Sequence, residues 1–326
     1  MKPRRFWIAA PIVAAGLACG ASPARSAEPH WPRALLIATA SPGGTYHAYG
    51  IGLARILTRE LGVAVSIRET DGPSENIRLI ENGIAQIGFV TKGAALEGWT
   101  GSGEWTGGRQ LRAIRAMFAM YDTPFHFVVR QDSGVAQISA LEGKRVGVGP
   151  EGGTAATYVP RLLPRLGVQA RFVHGTWADL ATALRSREVD GLAVAAGAPF
   201  PAIAELEAQR AIRYLPLTRD MVATLRIAVP ELAASVIPPG TYPSLNSSYE
   251  TVGIYNLAVA QRDLPADLVY QIVRLVFDFH AEMVEAHPAA VATVPANFVH
   301  NTLLPWHPGA ARYYENRAVR GILRGD

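Results

Sequence analysis

The sequence predicts a two-lobe α/β fold. Each lobe is a mostly parallel sheet flanked by helices, and a ligand cleft lies between the lobes. Three observations carry this expectation. Short apolar runs alternate with segments of helical period. The alternation comes in two separate series along the chain. Glycine-rich loops follow several of the strands and lead into helices. The 326 residues suffice for about two domains at roughly 150 residues each.

The first series opens with a strand over Ala34–Thr39 and the turn Ser41-Pro42-Gly43-Gly44. A helix follows from Thr45 to Leu61, with Ile51, Ala54, Ile56 and Leu57 on its apolar face. Val63–Thr70 alternates like a strand. The turn at Asp71–Ser74 leads into a short helix ending near Asn82, and Ala85–Val90 is the next strand. Such a β-α-β-α-β order implies parallel strands with right-handed crossovers. Thr100–Arg109, rich in Gly and Trp, reads as irregular.

The second series has strands at Phe125–Arg130 and Arg145–Val148, then a helix over Thr154–Leu166. A strand at Arg171–Val173, a helix at Trp177–Arg187 and a strand at Gly191–Ala195 follow. Ala211–Leu217 is a further candidate strand. Thr251–Ala260 is a last strong strand, before one long helix marked by Leu268, Ile272, Leu275, Val276, Phe279 and Met283. The expected division is 1–26 as a leader, 31–120 as the first part of lobe 1, 121–245 as lobe 2, and 246–326 as a return to lobe 1.

Residues 1–26 read as a secretory signal peptide. Lys2, Arg4 and Arg5 precede the apolar run Phe6–Ala18, which Pro11 interrupts and which is too short for a comfortable membrane span. Cleavage fits after Ala24 or after Ser26. Gly16-Leu17-Ala18-Cys19 partly matches a lipobox, so lipid anchoring at Cys19 is a rival to simple secretion. The single cysteine excludes an internal disulfide framework and any cysteine-built metal site.

The formal charge of +4 is concentrated in the leader. Of 31 basic residues, Lys2, Arg4, Arg5 and Arg25 lie there, leaving 27 basic against 27 acidic residues in the rest. A neutral mature chain lacks the basic excess that nucleic-acid binding usually needs.

Three loops share one design: Gly43-Gly44-Thr45-Tyr46, Gly72-Pro73-Ser74-Glu75-Asn76 and Gly152-Gly153-Thr154. Free backbone N–H groups at a helix start bind anions, and Gly lets a ligand approach the main chain. The plain alternative is N-capping by Thr45, Ser74 and Thr154. Three such loops at strand ends favour an anion-binding cleft. Gly147–Gly152 spells a dinucleotide fingerprint, but Glu151 opposes a pyrophosphate and no acidic residue ends the next strand. His280 and His287, seven apart, read as solvated helix-face residues rather than metal ligands. Tyr46 and Tyr49 either line a pocket or pack. Trp306, Tyr313 and Tyr314 are expected to pin the C-terminal segment to the body. No nucleophile elbow, P-loop or zinc-protease motif occurs.

The series Ile37–Tyr46 with Gly50, Gly72–Gly83, Ile87–Val90, Leu141–Thr154, Val189–Pro199, Pro239–Pro243 and Pro305–Tyr314 resembles the TAXI family. These are solute-binding proteins of tripartite ATP-independent periplasmic (TRAP) transporters. The resemblance spans about residues 33–315. It implies a type II periplasmic-binding-protein fold and a non-enzymatic receptor without a cofactor, metal or catalytic residue. Its solute would be a small carboxylate, of the glutamate or 2-oxoglutarate kind. The receptor would be periplasmic, with a TRAP-type permease as partner and a monomer as the default state. Carried over by motif, the ligand-facing residues are Gly44, Thr45, Tyr46, Ser74, Asn76, Thr91, Thr154, Ala155 and Gly197. Lys92 is a candidate ligand cation. Ala155 stands where relatives commonly carry Arg, so any ligand charge must be met elsewhere or be smaller. The alternatives are a sensing subunit for a membrane kinase and a secreted α/β hydrolase.

Overall fold

The computed structural model describes residues 27–324. The leader, its cleavage sites and Cys19 therefore lie outside the described residues. The first series folds as β1 (Ala34–Ala38), α1 (Thr45–Leu61), β2 (Ala64–Arg68), α2 (Pro73–Glu81), β3 (Ile87–Thr91) and α3 (Lys92–Thr100). A long strand β4 (Ile114–Arg130) carries the chain out of this half. The second series is β5 (Arg145–Gly149), α4 (Thr154–Leu162), β6 (Arg171–His174), α5 (Trp177–Ser186), β7 (Gly191–Ala195), α6 (Pro201–Gln209), β8 (Ile212–Tyr214), α7 (Arg219–Ala228) and β9 (Ala233–Ile237). A second long strand, β10 (Tyr249–Gln261), returns to the first half, where α8 (Ala266–Asp278), α9 (His280–Ala286) and α10 (Pro308–Arg324) close the fold.

The strands form one sheet in the order β2-β1-β3-β10-β4-β7-β5-β6, with β8 added to β4 and β9 to β10. β1, β2 and β3 are parallel, as are β5, β6 and β7. β4 and β10 run antiparallel to each other and are the only strands shared by both halves among the described residues. Residues 114–124 of β4 pair with β10, and residues 125–129 pair with β7. Pro124 sits where β4 changes partners. Proline cannot donate to a ladder and is normally excluded from central strands; here it stands at a place where the ladder is handed over. Gly253 faces it on β10, because a Cβ there would meet the Asp122 carboxylate at 2.5 Å.

The cores follow the layers. In the first half one cluster packs α1, α8 and α9 on one face of the sheet, through Leu53, Ile56, Leu268 and Ile272. Another packs α2 and α3 on the other face, through Ile77, Ile80 and Ala95. The second half has a single large cluster that includes Phe125, Val146, Leu162, Leu192 and Phe200.

Three local expectations need correction. The first eleven residues of β4 were not anticipated. The strand is buried along almost its whole length, so its apolar run shows no alternation. The long C-terminal helix is two helices, broken at Phe279 (φ −104°, ψ 31°); beyond the break, His280 Nε2 lies 2.8 Å from the Ala290 carbonyl. His287 is not on a solvated face: it is 2% exposed, and its Nδ1 accepts from the Ala289 N–H. The Trp306 and Tyr314 rings meet at 5.0 Å, tilted by 58°, and Trp306 bridges to Ala116, which fastens α10 to the first half.

His126 on β4 is fully buried. Its Nδ1–H donates to the Pro124 carbonyl at 3.1 Å, and its Nε2 accepts from the Tyr242 hydroxyl at 2.9 Å. That hydroxyl in turn accepts from the Phe200 N–H at 2.7 Å. Desolvation pushes the His126 pKa down to about 4, and His287 likewise down to about 4. An unfolded histidine titrates near 6.5. Both imidazoles are therefore neutral in the fold while the unfolded chain takes up protons. Their contribution is fully present above pH 6.5 and drains as the pH falls toward 4. Urea melts across this window should show stability falling by about 3 kcal/mol per histidine at most. His126→Gln should flatten that slope. An unchanged slope would show that His126 does not carry it.

Candidate functional site

A cleft between the two halves encloses about 510 Å³, the open solvent at its mouth included. Its floor is Tyr121 and Thr123, which point the same way from alternate positions of β4. One wall is the start of α1 with Ala40, Ser41, Gly44, Thr45 and Tyr46. The opposite wall is the start of α4 with Gly153, Thr154 and Ala155, together with Trp177, Phe200 and the strand end Ala195–Gly197. Asp71, Gly72 and Pro73 lie against Pro150 and Gly153 at the mouth.

Both wall helices begin without a side-chain cap. The cap positions are Gly44 for α1 and Gly153 for α4, and neither can supply one. Thr45 and Thr154 are the first helical residues, so the plain capping alternative does not hold for them. By contrast Thr91, Thr176 and Thr218 do cap their helices, with side chains accepting from Ala94, Asp179 and Met221 N–H. The first-turn N–H groups of α1 (Thr45, Tyr46, His47) and of α4 (Thr154, Ala155, Ala156) have no protein acceptor among the described residues. Each helix start carries roughly half a positive charge. The two ends face one cleft from opposite halves.

Tyrosines line the same space. Tyr46 Oη donates to Asn256 Oδ1 at 2.6 Å. Asn256, fully buried on β10, donates through Nδ2 to the Tyr121 carbonyl at 2.8 Å and to Thr123 Oγ1 at 2.5 Å. One amide thus fixes three cleft residues. The Tyr121 hydroxyl is buried and has no protein partner among the described residues. Burial raises the pKa of both Tyr46 and Tyr121 far above the usual phenol value, so both stay protonated donors.

The halves touch. Thr45 Oγ1 donates to the Gly197 carbonyl at 3.1 Å. Gly72 has φ +136°, and a Cβ there would meet the Gly152 carbonyl oxygen at 2.9 Å. Arg161 of α4 reaches Glu97 of α3 at 2.7 Å, while Trp105 Nε1 donates to the other Glu97 oxygen at 2.8 Å. This is the geometry of a closed clamp.

Six of the nine residues expected at the ligand line the cleft: Gly44, Thr45, Tyr46, Thr154, Ala155 and Gly197. Three do not. Asn76 is fully buried, and its Nδ2 donates to the carbonyls of Thr39 at 2.7 Å and Phe89 at 2.8 Å. Its Oδ1 accepts from Thr70 Oγ1 at 2.7 Å. Every polar atom of that side chain is spent on joining β1, β3 and the loop before α2. Ser74 is buried in the first turn of α2, away from the cleft. Thr91 is the cap of α3. Lys92, beside it, is also outside the cleft. Tyr49 packs, with its hydroxyl on Thr293 Oγ1 at 3.2 Å. The residues that went unnoticed are Asp71, Tyr121, Thr123, Trp177, Phe200 and Asn256. Only Trp177, directly after a Thr that opens a helix, carried a local signal.

A model of the NMT1-like family matches residues 37–317. Among solved structures, the periplasmic binding protein BugD aligns with a TM-score of 0.57 at 14% identity, over 90% of this chain and 99% of that one. A protein of Bordetella bronchiseptica RB50 aligns at 0.50 and 17% identity, over 87% and 80%. The alkanesulfonate-binding protein SsuA of Xanthomonas axonopodis pv. citri, bound to MOPS, aligns at 0.49 and 13% identity, over 90% and 93%. At such identities the likeness to BugD is one of fold, the two-lobe periplasmic-binding-protein fold.

Two substitutions separate scaffold from cleft. Asn76→Ala strands two buried carbonyls and should cost about 2–3 kcal/mol of stability, read as a lower melting temperature, with the affinity of the surviving folded protein unchanged. Gly197→Val acts the other way. A Cβ at 197 lies 2.9 Å from Thr45 and Ala289 of the opposite half and from Tyr121 on the shared strand. The variant should fold, stay open in small-angle scattering, and bind solute at least about tenfold more weakly. Unchanged affinity in Gly197→Val would refute this cleft as the closing surface.

Proposed function

The chain belongs to the NMT1-like family, and from that premise we propose that it is an extracytoplasmic receptor for a small, carboxylate-bearing solute. One observation carries the reading: two uncapped helix N-termini, one from each half, converge on a single cleft. An anion seated between them satisfies main-chain N–H groups of both halves at once. Its binding therefore favours the closed arrangement over an open one. The hydrogen bond from Thr45 to Gly197 and the Arg161–Glu97 pair add to the closed state once the solute is in place. Nothing in this cycle requires a bond to be made or broken, so the protein acts as a carrier.

The proposed solute class follows the motif resemblance, which points to glutamate, 2-oxoglutarate and related acids. The proposed partner, on the same motifs, is a TRAP-type membrane permease that reads the closed surface. The proposed site is periplasmic, with the basic–apolar leader at residues 1–26 as the export signal. No helix among the described residues is long and apolar enough to cross a membrane.

The test is a thermal-melt screen of purified protein, refolded to remove carried-over solute. The panel holds amino acids, oxo acids, C4-dicarboxylates, monocarboxylates and sugars. Solute at 100 times its dissociation constant should add about 2.7 kcal/mol and raise the melt by several degrees. A shift confined to carboxylates is the expected outcome. No shift with any carboxylate, from protein shown to be folded, would overturn the reading.

A further inference from the structure

The charge inventory of the cleft is lopsided. Among the described residues that line it, none is Arg, Lys or His, and the single formally charged side chain is Asp71. The two loops that meet over the mouth, 71–75 and 150–154, carry Asp71, Glu75 and Glu151 and no basic residue. Glu75 is committed to the Asp71 backbone N–H at 2.8 Å. The Asp71 carboxylate is exposed and has no side-chain partner among the described residues. Deeper in, Tyr121 lines the floor, and its buried hydroxyl has no hydrogen-bond partner among the described residues. A buried hydroxyl left unpaired is costly, and a ligand acceptor brought to the cleft floor would relieve that cost. Between floor and mouth the walls are aromatic and apolar: Trp177 and Phe200, stacked edge to face at 5.4 Å, with Ala155 and Ala195.

We propose that the solute is a zwitterion with one anionic group and one cationic group, namely an α-amino acid with an uncharged side chain. This rests on the receptor reading above and keeps its carboxylate, but it departs from the glutamate and 2-oxoglutarate to which the motif resemblance points. The carboxylate sits between the starts of α1 and α4, within reach of the Tyr121 hydroxyl. The ammonium group faces Asp71 under the acidic mouth. The side chain lies along Trp177 and Phe200. A second carboxylate would have no counter-charge in this cleft and would meet Asp71 instead, so dicarboxylates and dianionic oxo acids are disfavoured. Ala155, where the resemblance leads one to expect Arg, fits the same account, because it removes the cation that a second anionic group would need.

Calorimetric titration of solute-free protein with matched probes tests this. The probes are leucine and phenylalanine, their N-acetyl derivatives, the deaminated acids isocaproate and hydrocinnamate, and 2-oxoglutarate with succinate. The free amino acids should bind at least about tenfold more tightly than their acetylated or deaminated counterparts, and the dicarboxylates more weakly still. Asp71→Asn should remove most of that margin without lowering the melting temperature of the solute-free protein. Tyr121→Phe should weaken amino and deaminated acids alike. If deaminated acids or dicarboxylates bind as tightly as amino acids, or if the margin survives in Asp71→Asn, the zwitterion inference is wrong while the receptor reading stands. If only uncharged solutes bind, both fall.

Discussion

Two strands, β4 and β10, run through both halves of the molecule, and the rest of the structure is organised by that fact. They lie side by side in the middle of a ten-stranded sheet, so the halves share one hydrogen-bonded ladder. The ladder lacks a donor where Pro124 faces Gly253. One residue cannot donate, and the other has no side chain to pack. Bending concentrated there would swing the loops at 41–45, 71–73 and 150–154 together or apart while each core stays intact. The cleft floor, Tyr121 and Thr123, sits on the shared strand next to this point and belongs equally to both halves.

Polar side chains in this fold do two different jobs that look alike in a sequence. Asn76 and Asn256 are both fully buried amides. Asn76 ties strand ends together beneath the cleft, and Asn256 aims tyrosine and threonine groups at it. Neither touches the cavity. The cavity side is presented instead by main-chain N–H groups, two tyrosines and the apolar walls. His126 belongs to the first kind: through Tyr242 it holds the backbone of Phe200 in the wall.

Much of this was legible in the sequence. The limits of α1 and the existence of β1 to β3, β5 to β7 and β10 follow from periodicity, because each element buries one face or sits between turn residues. The glycine loops announced the two helix starts. What was hidden shares a physical cause. The first part of β4 is buried on both sides and so has no alternation to read. Tyr121 and Thr123 take their places in the cleft, with Asn256 holding them from behind, only through pairing across 135 and 133 positions of chain. Asn76 was misread because a helix-start amide looks the same whether it faces a ligand or, as here, staples two carbonyls. The break at Phe279 follows contacts with a later segment that the local pattern does not contain.

The proposed anion seat is built of peptide groups, and that has an evolutionary corollary. A guanidinium or ammonium seat can be lost in a single codon change; a helix start cannot, short of inserting proline or rebuilding the turn. The walls made by Trp177, Phe200, Ala155 and the acidic mouth are side chains and free to vary. A lineage using this scaffold can therefore explore new solutes by repainting the walls, while the grip on one negative charge is inherited with the backbone.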